Sequence, residues 1–427
     1  MEVIKVEGGY PVSGEVSVEG AKNSALKLMA ATILAPGVTT LQNVPNIADV
    51  HVMGKVLKEL GAIVEVVDEH TLRIDTSTVD SWETPYSLVT RMRASTAVLG
   101  PLIARFGKAI VAMPGGCNIG ARSIDMHILG LEALGVRFDV DHGDIHATAP
   151  NGLRGTTVNL EFASVGATEN LVMASVHAKG VTIIDNAARE PEIQDLAAML
   201  NEMGADIRGA GTPVIEIHGV GELHPVTHAV TGDRIEAGTF VAIGALVGEP
   251  LTVRGFEPDH LGLVLRKYEQ MGVAVERGER MVTISRERPL SSVDVQTLPF
   301  PGFPTDMQAQ TMCLLAVADG TSIVTENVFE NRFMFASELQ RMGSDITIQG
   351  HHAVVRGVKR LSGAEVRSPD LRGGAALVMA GLIADGVTTV LDIYHIDRGY
   401  ERFVEKLSGL GAHVRRVTVP DIDVLDV

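Results

Sequence analysis

Cysteine is scarce in this chain, which contains only Cys117 and Cys313 among 427 residues. Two thiols cannot build a disulfide framework, and their scarcity predicts a reducing, cytoplasmic setting. Long apolar runs are missing too, since stretches such as "LVMAGLIA" fall far short of the roughly 20 residues that cross a bilayer. The first residues lack the basic and apolar regions of a secretory leader. We therefore expect neither a secreted disulfide-rich protein nor a membrane protein.

Positive charge is also in short supply, with 36 Lys and Arg against 53 Asp and Glu and a net charge of −17. Surfaces that bind nucleic acid are normally basic, so we predict no nucleic-acid partner. The chain has no CxxC pair and no G-x-G-x-x-G after an apolar run, and "FGKA" lacks the pattern of a Walker loop. His224 and His228 have the spacing of metal ligands, but Pro225 argues against a helix there, and "HGDIH" at 142–146 is interpreted as a polar turn. We predict no metal and no cofactor.

What the chain does contain is an internal repeat. A helix-like segment ending in Leu or Met followed by Gly recurs six times, as in "LKELGAIVEV" and "YEQMGVAVE". Each glycine follows an apolar helical pattern and precedes a short alternating run, which predicts a helix C-terminus leading into a strand. The repeated glycines, spaced by 68–74 residues, are Gly61, Gly135, Gly204, Gly272, Gly343 and Gly411.

Each unit also carries an earlier helical pattern of small and apolar residues, such as "STAVLGPLIARF" and "GAALVMAGLIA". This first helix is predicted to be buried on all sides, whereas the second is amphipathic. The order strand, helix, strand, helix, strands places the chain in the α/β or α+β class. Six units divide into two lobes of three, which we predict at 21–230 for the N-terminal lobe and at 1–20 plus 231–427 for the C-terminal lobe. A cleft between such lobes is a common place for ligands.

Charged and polar residues recur at two places of the repeat: the start of the first helix and the loop that enters the second. Helix N-termini attract anions through free N–H groups and the positive end of the dipole. A surface salt bridge would also explain any single arginine, but the recurrence favours a pocket for a small polyanion. The residues are Lys22, Asn23, Arg93, Asp306 and Arg372 at the helix starts, and Arg122, Arg189, Arg332 and Arg398 in the loops.

The two cysteines occupy different settings. Cys313 lies in "QTMCLLAVA", on a predicted buried helix, where a thiol acts as a small hydrophobic group. Cys117 lies in "PGGCNIGAR", among glycines and close to Arg122, and a nearby cation favours the reactive thiolate. We interpret Cys117 as a candidate catalytic residue.

Six segments together resemble the UDP-N-acetylglucosamine enolpyruvyl transferases: "EGAKNSALKLMAATILAPG", "GGCNIGARSIDMH", "FPTDMQAQ", "TENVFENRFMF", "DLRGGAALVMAG" and "YHIDRGYE". The resemblance covers nearly the whole chain. It implies two similar lobes, each of three β-α-β-α-β-β repeats around a cleft, the inverse α/β barrel of that family. It also implies transfer of the enolpyruvyl group of phosphoenolpyruvate to the 3′-hydroxyl of UDP-N-acetylglucosamine. In that family the reaction releases phosphate and is the first committed step of peptidoglycan precursor synthesis.

The resemblance assigns roles to the residues that match the family's motifs. Cys117 would be the proton donor and the thiol that fosfomycin modifies, and Asp306 would be the general base facing the sugar hydroxyl. Lys22, Asn23, Arg122 and Arg398 would hold phosphoenolpyruvate or the released phosphate, with Lys22 and Arg398 acting in catalysis. Arg332, Asp370 and Arg372 would assist the chemistry and lobe closure. The nucleotide-sugar contacts would be Arg93, Arg122, Ser123, Ile124, Asp125, Met126, Ser164, Val165, Gly166, Asp306 and Val328.

Alternatives remain open at this stage. Asp306 and Asn23 would also suit helix caps, because Asp and Asn are favoured there. A transferase acting on shikimate 3-phosphate shares the fold but lacks the "GGC…GAR" loop, and a non-catalytic nucleotide-sugar-binding regulator would have lost the acid or the base. Ser123-Ile124 replaces a common Pro-Val, and "RGGAA" is richer in glycine than the usual version. Because Cys117 is retained, we expect sensitivity to fosfomycin; the oligomeric state is left open.

Overall fold

The computed structural model describes residues 1–84, 88, 93–113 and 124–420. These residues form two compact units, each with its own hydrophobic core. One unit contains Met1–Val18 and the described residues from Asp233 onward, and the other contains those from Glu19 to Gly232. We call them the C-terminal and the N-terminal lobe. Their limits lie two residues from the division at 20/21 and 230/231 that the repeats predict, and that division stays a prediction.

The repeat appears as two helices per unit. The first helices of the six units are Lys22–Ala31, Leu99–Phe106, Val165–Ser175, Arg234–Val247, Gln308–Leu315 and Leu371–Ile383. The second helices are Ala48–Glu59, Asp125–Ala133, Pro191–Glu202, Gly262–Met271, Phe335–Arg341 and Phe403–Gly409. Shorter elements are the helix Tyr394–Asp397 and the 3-10 turns Thr32–Leu34, Arg93–Val98, Pro258–Leu261 and Thr305–Met307.

The predicted difference in burial between the two helices is confirmed. In Gln308–Leu315 every residue is buried, and in Arg234–Val247 only the last residue is not. By contrast, Ala48–Glu59 buries Met53 and Leu57 and exposes Lys55 on its other face. Small residues allow the first helices to pack closely inside each lobe, so their N-terminal turns become fixed points for polar side chains.

The repeated glycines explain why each second helix ends where it does. All six have φ between 95° and 107°, a left-handed conformation that strains residues with a Cβ. The following strand begins two residues after its glycine in every unit. The predicted succession of helix, glycine and strand is therefore confirmed six times.

Three sheets of the described residues lie in the C-terminal lobe. Their strands, in spatial order, are Glu365–Arg367, Val387–Leu391, Glu2–Glu7 and His413–Thr418; Ala274–Gly278, Met281–Ser285, Leu251–Arg254 and Gly14–Ser17; and Val295–Gln296, Thr321–Thr325, His352–Arg356 and Asp345–Gln349. The strand Glu2–Glu7 is antiparallel to both of its neighbours, and the other three strands of its sheet come from the end of the chain.

Three further sheets lie in the N-terminal lobe. Their strands are Asp206–Arg208, Val214–His218, Val181–Asp185 and Thr157–Asn159; Thr227–Ala229, Val38–Gln42, Thr71–Asp75 and Ile63–Asp68; and Lys108–Ala112, Asp144–Thr148 and Arg137–Asp141. Of the "HGDIH" segment, His142 and Gly143 form the turn between the strands Arg137–Asp141 and Asp144–Thr148, both at positive φ. The predicted turn is confirmed for these two residues and is wrong for Asp144, Ile145 and His146, which lie on the second of these strands. His228 lies on a strand, which agrees with the effect expected of Pro225.

Within the described part of the chain, no helix is both long enough and apolar enough to cross a membrane.

Candidate active site

Asp306 is the centre of a charged cluster in the C-terminal lobe. It lies in the turn Thr305–Met307, directly before the buried helix Gln308–Leu315. Arg332 Nη2 donates to Asp306 Oδ1 over 2.7 Å. Arg372 donates to Oδ2 from Nη2 over 3.1 Å and from Nε over 3.3 Å. The structure thus brings together three of the predicted site residues, and we call them the Asp306 cluster.

The helix-cap interpretations of Asp306 and Asn23 are wrong. The helix Gln308–Leu315 has Met307 at its N-cap, and no side chain caps it there. Asp306 instead directs its carboxylate at two guanidinium groups. The helix Lys22–Ala31 has Ala21 at its N-cap, again without a side-chain cap.

Both arginines of the Asp306 cluster are buried, so surface salt bridges do not account for them. Their side chains are 4% and 3% exposed, whereas that of Asp306 is 24% exposed. Two guanidinium groups share one carboxylate, and the Nη1 atoms of Arg332 and Arg372 are buried without a hydrogen-bond partner among the described residues. Buried N–H groups without an acceptor cost free energy, so this arrangement favours an anionic ligand.

Neighbouring groups hold the charge of Arg372. Burial by itself lowers the pKa of Arg372, but Tyr400 and the carboxylates of Asp306 and Asp233 outweigh it, and the net pKa is raised. The guanidinium carbon lies 5.3 Å from the centre of the Tyr400 ring. The Tyr400 hydroxyl is 2.9 Å from Thr239 Oγ1. Arg372 therefore remains a cation over the whole working pH range.

Asp370 supports the same arginine through the backbone. Its Oδ1 accepts hydrogen bonds from the N–H groups of Arg372 and Gly373, over 2.8 and 3.0 Å, and so caps the helix Leu371–Ile383. The cap fixes the turn from which Arg372 projects. Asp370 is thus a structural support of the Asp306 cluster in this lobe.

Arg398 follows the short helix Tyr394–Asp397 and is half-buried. It lies close enough to His395 to act on its charge: burial first, and then the Arg398 cation, lowers the pKa of His395. His395 is therefore neutral at pH 7, and Arg398 is the cation of this turn.

Sequence reasoning missed Glu326, a buried carboxylate beside the Asp306 cluster. Glu326 accepts hydrogen bonds from the hydroxyl groups of Thr297 and Thr305, over 2.8 and 2.9 Å. It also accepts from the backbone N–H of Val328 over 2.8 Å. One carboxylate thus connects the predicted nucleotide-sugar contact Val328 with the residue next to Asp306. The available signal was an acidic residue directly after the strand Thr321–Thr325.

Lys22 and Asn23 open the first helix of the N-terminal lobe. Lys22 Nζ lies 2.8 Å from Asp49 Oδ2, and the two side chains are 11% and 4% exposed. Asp49, in the first turn of the helix Ala48–Glu59, was not anticipated from the sequence. Lys27 Nζ, one turn later, donates to the carbonyl oxygen of Asn23 over 3.2 Å.

The predicted nucleotide-sugar contacts of the N-terminal lobe come together in part. Ile124 is the N-cap of the helix that begins with Asp125 and Met126. Ser164 is the N-cap of the helix Val165–Ser175, and its Oγ accepts from Ala167 N over 3.4 Å. A Cβ added to Gly166 would lie 3.1 Å from the ring of His127, so the two helix starts are in contact.

Some predicted residues lie outside the described part of the chain. They are Cys117, Arg122 and Ser123, together with the side chain of Arg93. The other cysteine behaves as predicted: Cys313 is fully buried, donates to the carbonyl oxygen of Ala376 over 3.1 Å, and has a pKa raised by burial.

Comparisons with known proteins agree on one family. The family model of EPSP synthase (3-phosphoshikimate 1-carboxyvinyltransferase) matches residues 6–407. A protein of Trichlorobacter lovleyi named UDP-N-acetylglucosamine 1-carboxyvinyltransferase is 49% identical over 420 residues, covering 98% of this chain and 100% of its own length. One of Carboxydothermus hydrogenoformans, named UDP-N-acetylglucosamine 1-carboxyvinyltransferase 2, is 52% identical over 421 residues with the same coverage.

A solved structure has the same fold. The enolpyruvyl transferase NikO from Streptomyces tendae superposes with a TM-score of 0.89 at 29% identity, covering 98% of this chain and 99% of that one. The predicted fold class, two lobes of β-α-β-α-β-β repeats, is confirmed by this likeness and by the six sheets of the described residues. The chain therefore belongs to the EPSP synthase family of enolpyruvyl transferases and, within it, to the UDP-N-acetylglucosamine 1-carboxyvinyltransferases.

Proposed function

We propose that this chain transfers the enolpyruvyl group of phosphoenolpyruvate to the 3′-hydroxyl of UDP-N-acetylglucosamine and releases phosphate, the first committed step of peptidoglycan precursor synthesis. Relatives about half identical over nearly their whole length carry that activity in their names. The single observation that supports it most in the structure is the Asp306 cluster, a carboxylate held beside two buried arginines, each with an Nη1 atom that has no hydrogen-bond partner in the part of the chain that the structure describes.

The reaction needs an acid, a base and cations. A proton added to C3 of phosphoenolpyruvate makes C2 electrophilic, and the sugar 3′-oxygen bonds to C2 as it loses its own proton to a base. The tetrahedral ketal then loses phosphate by cleavage of the C2–O bond and a proton from C3, which restores the double bond. The substrate carries phosphate and carboxylate charges, so several charge-assisted hydrogen bonds are required, each contributing about 1.5–3 kcal/mol.

Asp306 is proposed as the base. It lies beside two guanidinium groups, and it is the most exposed member of its cluster, which suits an approach by a hydroxyl. A carboxylate bound on both oxygens is a weak base, however. We therefore propose that an anionic substrate draws hydrogen bonds of Arg332 and Arg372 toward itself, so that Asp306 becomes basic enough when the substrate is bound.

The remaining roles follow the family resemblance. Lys22, Asn23, Arg122 and Arg398 are proposed to hold phosphoenolpyruvate or phosphate, and Cys117 to supply the proton to C3. The nucleotide sugar is assigned to Arg93, the segment 122–126, the segment 164–166, Asp306 and Val328. A cytoplasmic location stays a prediction.

The test is phosphate release from phosphoenolpyruvate, with and without UDP-N-acetylglucosamine, before and after treatment with fosfomycin. We expect release that requires the nucleotide sugar and ends once fosfomycin has modified Cys117. Release that continues after treatment would contradict the role of Cys117 and leave the transfer standing. A folded protein that binds the nucleotide sugar and releases no phosphate would contradict the transfer and favour a regulatory protein.

A further inference from the structure

We propose that Asn170 is a positioning residue for the nucleotide sugar, because its side-chain amide joins the three backbone segments assigned to that ligand in the N-terminal lobe. The inference rests on the proposed function. The segments are the turn Arg93–Val98, residues 124–127 at the start of one helix, and residues 164–166 at the start of another. We call them the three nucleotide segments.

Each of the three nucleotide segments lies within hydrogen-bond distance of the Asn170 amide. Asn170 Nδ2 lies 3.2 Å from the carbonyl oxygen of Thr96, 3.1 Å from His127 Nδ1 and 3.3 Å from the carbonyl oxygen of Gly166. Asn170 Oδ1 accepts from the backbone N–H of Gly100 over 2.7 Å. Asn170 itself is 1% exposed, so water does not replace these bonds easily.

The chemistry of the site requires an amide. Three acceptors surround Nδ2, and one donor, the Gly100 N–H at the start of the helix Leu99–Phe106, faces Oδ1. A carboxylate would keep the acceptor and lose every donated bond, and an apolar side chain would lose all of them. Because Nδ2 only donates, His127 Nδ1 is the acceptor in this contact, and the ring proton of neutral His127 is on Nε2.

Close backbone packing around Asn170 leaves its side chain little room to move. A Cβ added to Gly100 would lie 2.5 Å from the carbonyl oxygen of Asn170, so the helices Leu99–Phe106 and Val165–Ser175 touch through their backbones. At this separation the Asn170 side chain has few other places to go. A change of its hydrogen bonds therefore shifts the three nucleotide segments relative to one another, and a displacement of 1 Å is costly for binding.

A residue of the same type provides a matched control. Asn201, also in the N-terminal lobe, donates from Nδ2 to the carbonyl oxygen of Ile207 and accepts from its N–H, each over 2.9 Å. It joins a helix end to a nearby strand and none of the nucleotide segments. Asn201→Asp thus removes one donated side-chain hydrogen bond in the same lobe, at a place that contacts none of the nucleotide segments.

The experiment compares Asn170→Asp, Asn201→Asp and Arg93→Ala with the unmodified chain. Calorimetry gives the Kd for UDP-N-acetylglucosamine without phosphoenolpyruvate, kinetics give KM for each substrate, and thermal unfolding gives stability. We expect Asn170→Asp to raise the Kd and KM for the nucleotide sugar about tenfold and to change the KM for phosphoenolpyruvate less than about twofold. Asn201→Asp is expected to lower stability while leaving that Kd unchanged.

An unchanged Kd in folded Asn170→Asp would overturn the inference. Arg93→Ala then tests the proposed nucleotide-sugar site separately from the role of Asn170. A higher Kd in Arg93→Ala would support that site, whereas an unchanged Kd would contradict the site as well. If Asn170→Asp does not fold, Asn170→Ser takes its place, since a hydroxyl keeps one donor and one acceptor at shorter reach. A loss of affinity in Asn201→Asp equal to that in Asn170→Asp would show general softening of the lobe and would also overturn the inference.

Discussion

Two buried helices, one in each lobe, follow the same pattern and hold opposite charges. Val165–Ser175 and Leu371–Ile383 are the first helices of the third and sixth repeats, and both consist mainly of small and apolar residues. The former buries Glu169, which is 1% exposed, and the latter buries Arg372, which is 3% exposed. The comparison shows how one scaffold handles a buried acid and a buried cation.

The difference lies in how well each charge is compensated. Burial raises the pKa of Glu169 to about 7, because Lys27, whose Nζ is 3.1 Å from Glu169 Oε2, offsets burial only in part, and Glu192 and Glu190 add to the rise. Arg372 has the carboxylates of Asp306 and Asp233 near it, and its charge does not depend on pH. A fixed cation suits anion binding, whereas a titratable acid makes the stability of its lobe depend on pH.

The largest expected effect is the loss of kcat when Asp306, the carboxylate beside Arg372 in the C-terminal lobe, is replaced. Asp306→Asn removes both the proposed base and the carboxylate that the two cluster arginines share, so we expect kcat to fall about 10²- to 10⁴-fold. Phosphate release at saturating substrates measures it. Asp345→Asn, an exposed acid of the same lobe paired with Arg356, serves as control and is expected to keep wild-type kcat. Unchanged turnover in Asp306→Asn would remove Asp306 from the mechanism.

The next effect tests the fixed cation itself. Arg372→Gln is expected to raise the KM for phosphoenolpyruvate about 10- to 100-fold, because charge-assisted hydrogen bonds to the anion are lost. Arg356→Gln, whose side chain is 49% exposed, removes a surface ion pair only and is expected to change neither KM nor kcat. Equal kinetics in both variants would show that the buried cation has no part in substrate binding.

The role of Glu169 is tested by measuring the free energy of unfolding as a function of pH. The folded chain holds a proton on Glu169 up to about pH 7, whereas the ordinary pKa of this group is 4.5. The folded state therefore binds more protons between these values, and stability falls as pH rises through this window. Glu169→Gln should remove roughly 2–3 kcal/mol of the loss between pH 5 and pH 8.

Urea unfolding of the unmodified chain and of Glu169→Gln, at several pH values, measures this difference. Glu65→Gln, an exposed acid of the same lobe beside Arg73, is expected to leave the pH slope as it is. A Glu169→Gln variant with the slope of the unmodified chain would show that Glu169 does not titrate near neutrality.

The smallest expected effect concerns His228, a second titratable group of the N-terminal lobe. Burial by itself lowers the pKa of His228, but its hydrogen bonds to Asp195 and Glu202, over 2.9 and 2.8 Å, outweigh burial and raise the pKa. The stabilisation is complete below the ordinary value of 6.5 and is lost as pH rises through the folded pKa.

His228→Gln should therefore flatten the pH dependence of the unfolding temperature above pH 6.5, by less than Glu169→Gln does. His142→Gln, a 92% exposed histidine, is the matched control and should leave the curve unchanged. A His228→Gln curve identical to that of the unmodified chain would exclude the two carboxylates as partners of a charged His228.

Local patterns made much of the fold predictable. The six glycines, the buried first helices and the amphipathic second helices follow from composition and period within short windows. Asp306, Arg332 and Arg372 were each identified through motifs. The sequence did not predict that two guanidinium groups bind one carboxylate, because this depends on contacts between residues 26 and 66 positions apart.

Asn170 and Glu326 show why the rest escaped prediction. Within the sequence, Asn170 is one of several polar residues in the helix Val165–Ser175, and its partners lie up to 74 positions away. Glu326 has partners 21 and 29 positions before it. Hydrogen bonds between distant segments leave no periodic signal. The roles assigned to Cys117 and Arg122 stay predictions from the family resemblance.

The place of the strand Glu2–Glu7 has a consequence for synthesis on the ribosome. Its two neighbours in the sheet, Val387–Leu391 and His413–Thr418, are translated about 380 residues or more after it, a delay of roughly 20–80 seconds at 5–20 residues per second. The described residues between Glu19 and Gly232, which form a unit with its own core, emerge in the meantime. The N-terminal lobe can therefore fold during translation, whereas the strand Glu2–Glu7 of the C-terminal lobe stays unpaired until the end of the chain has been made.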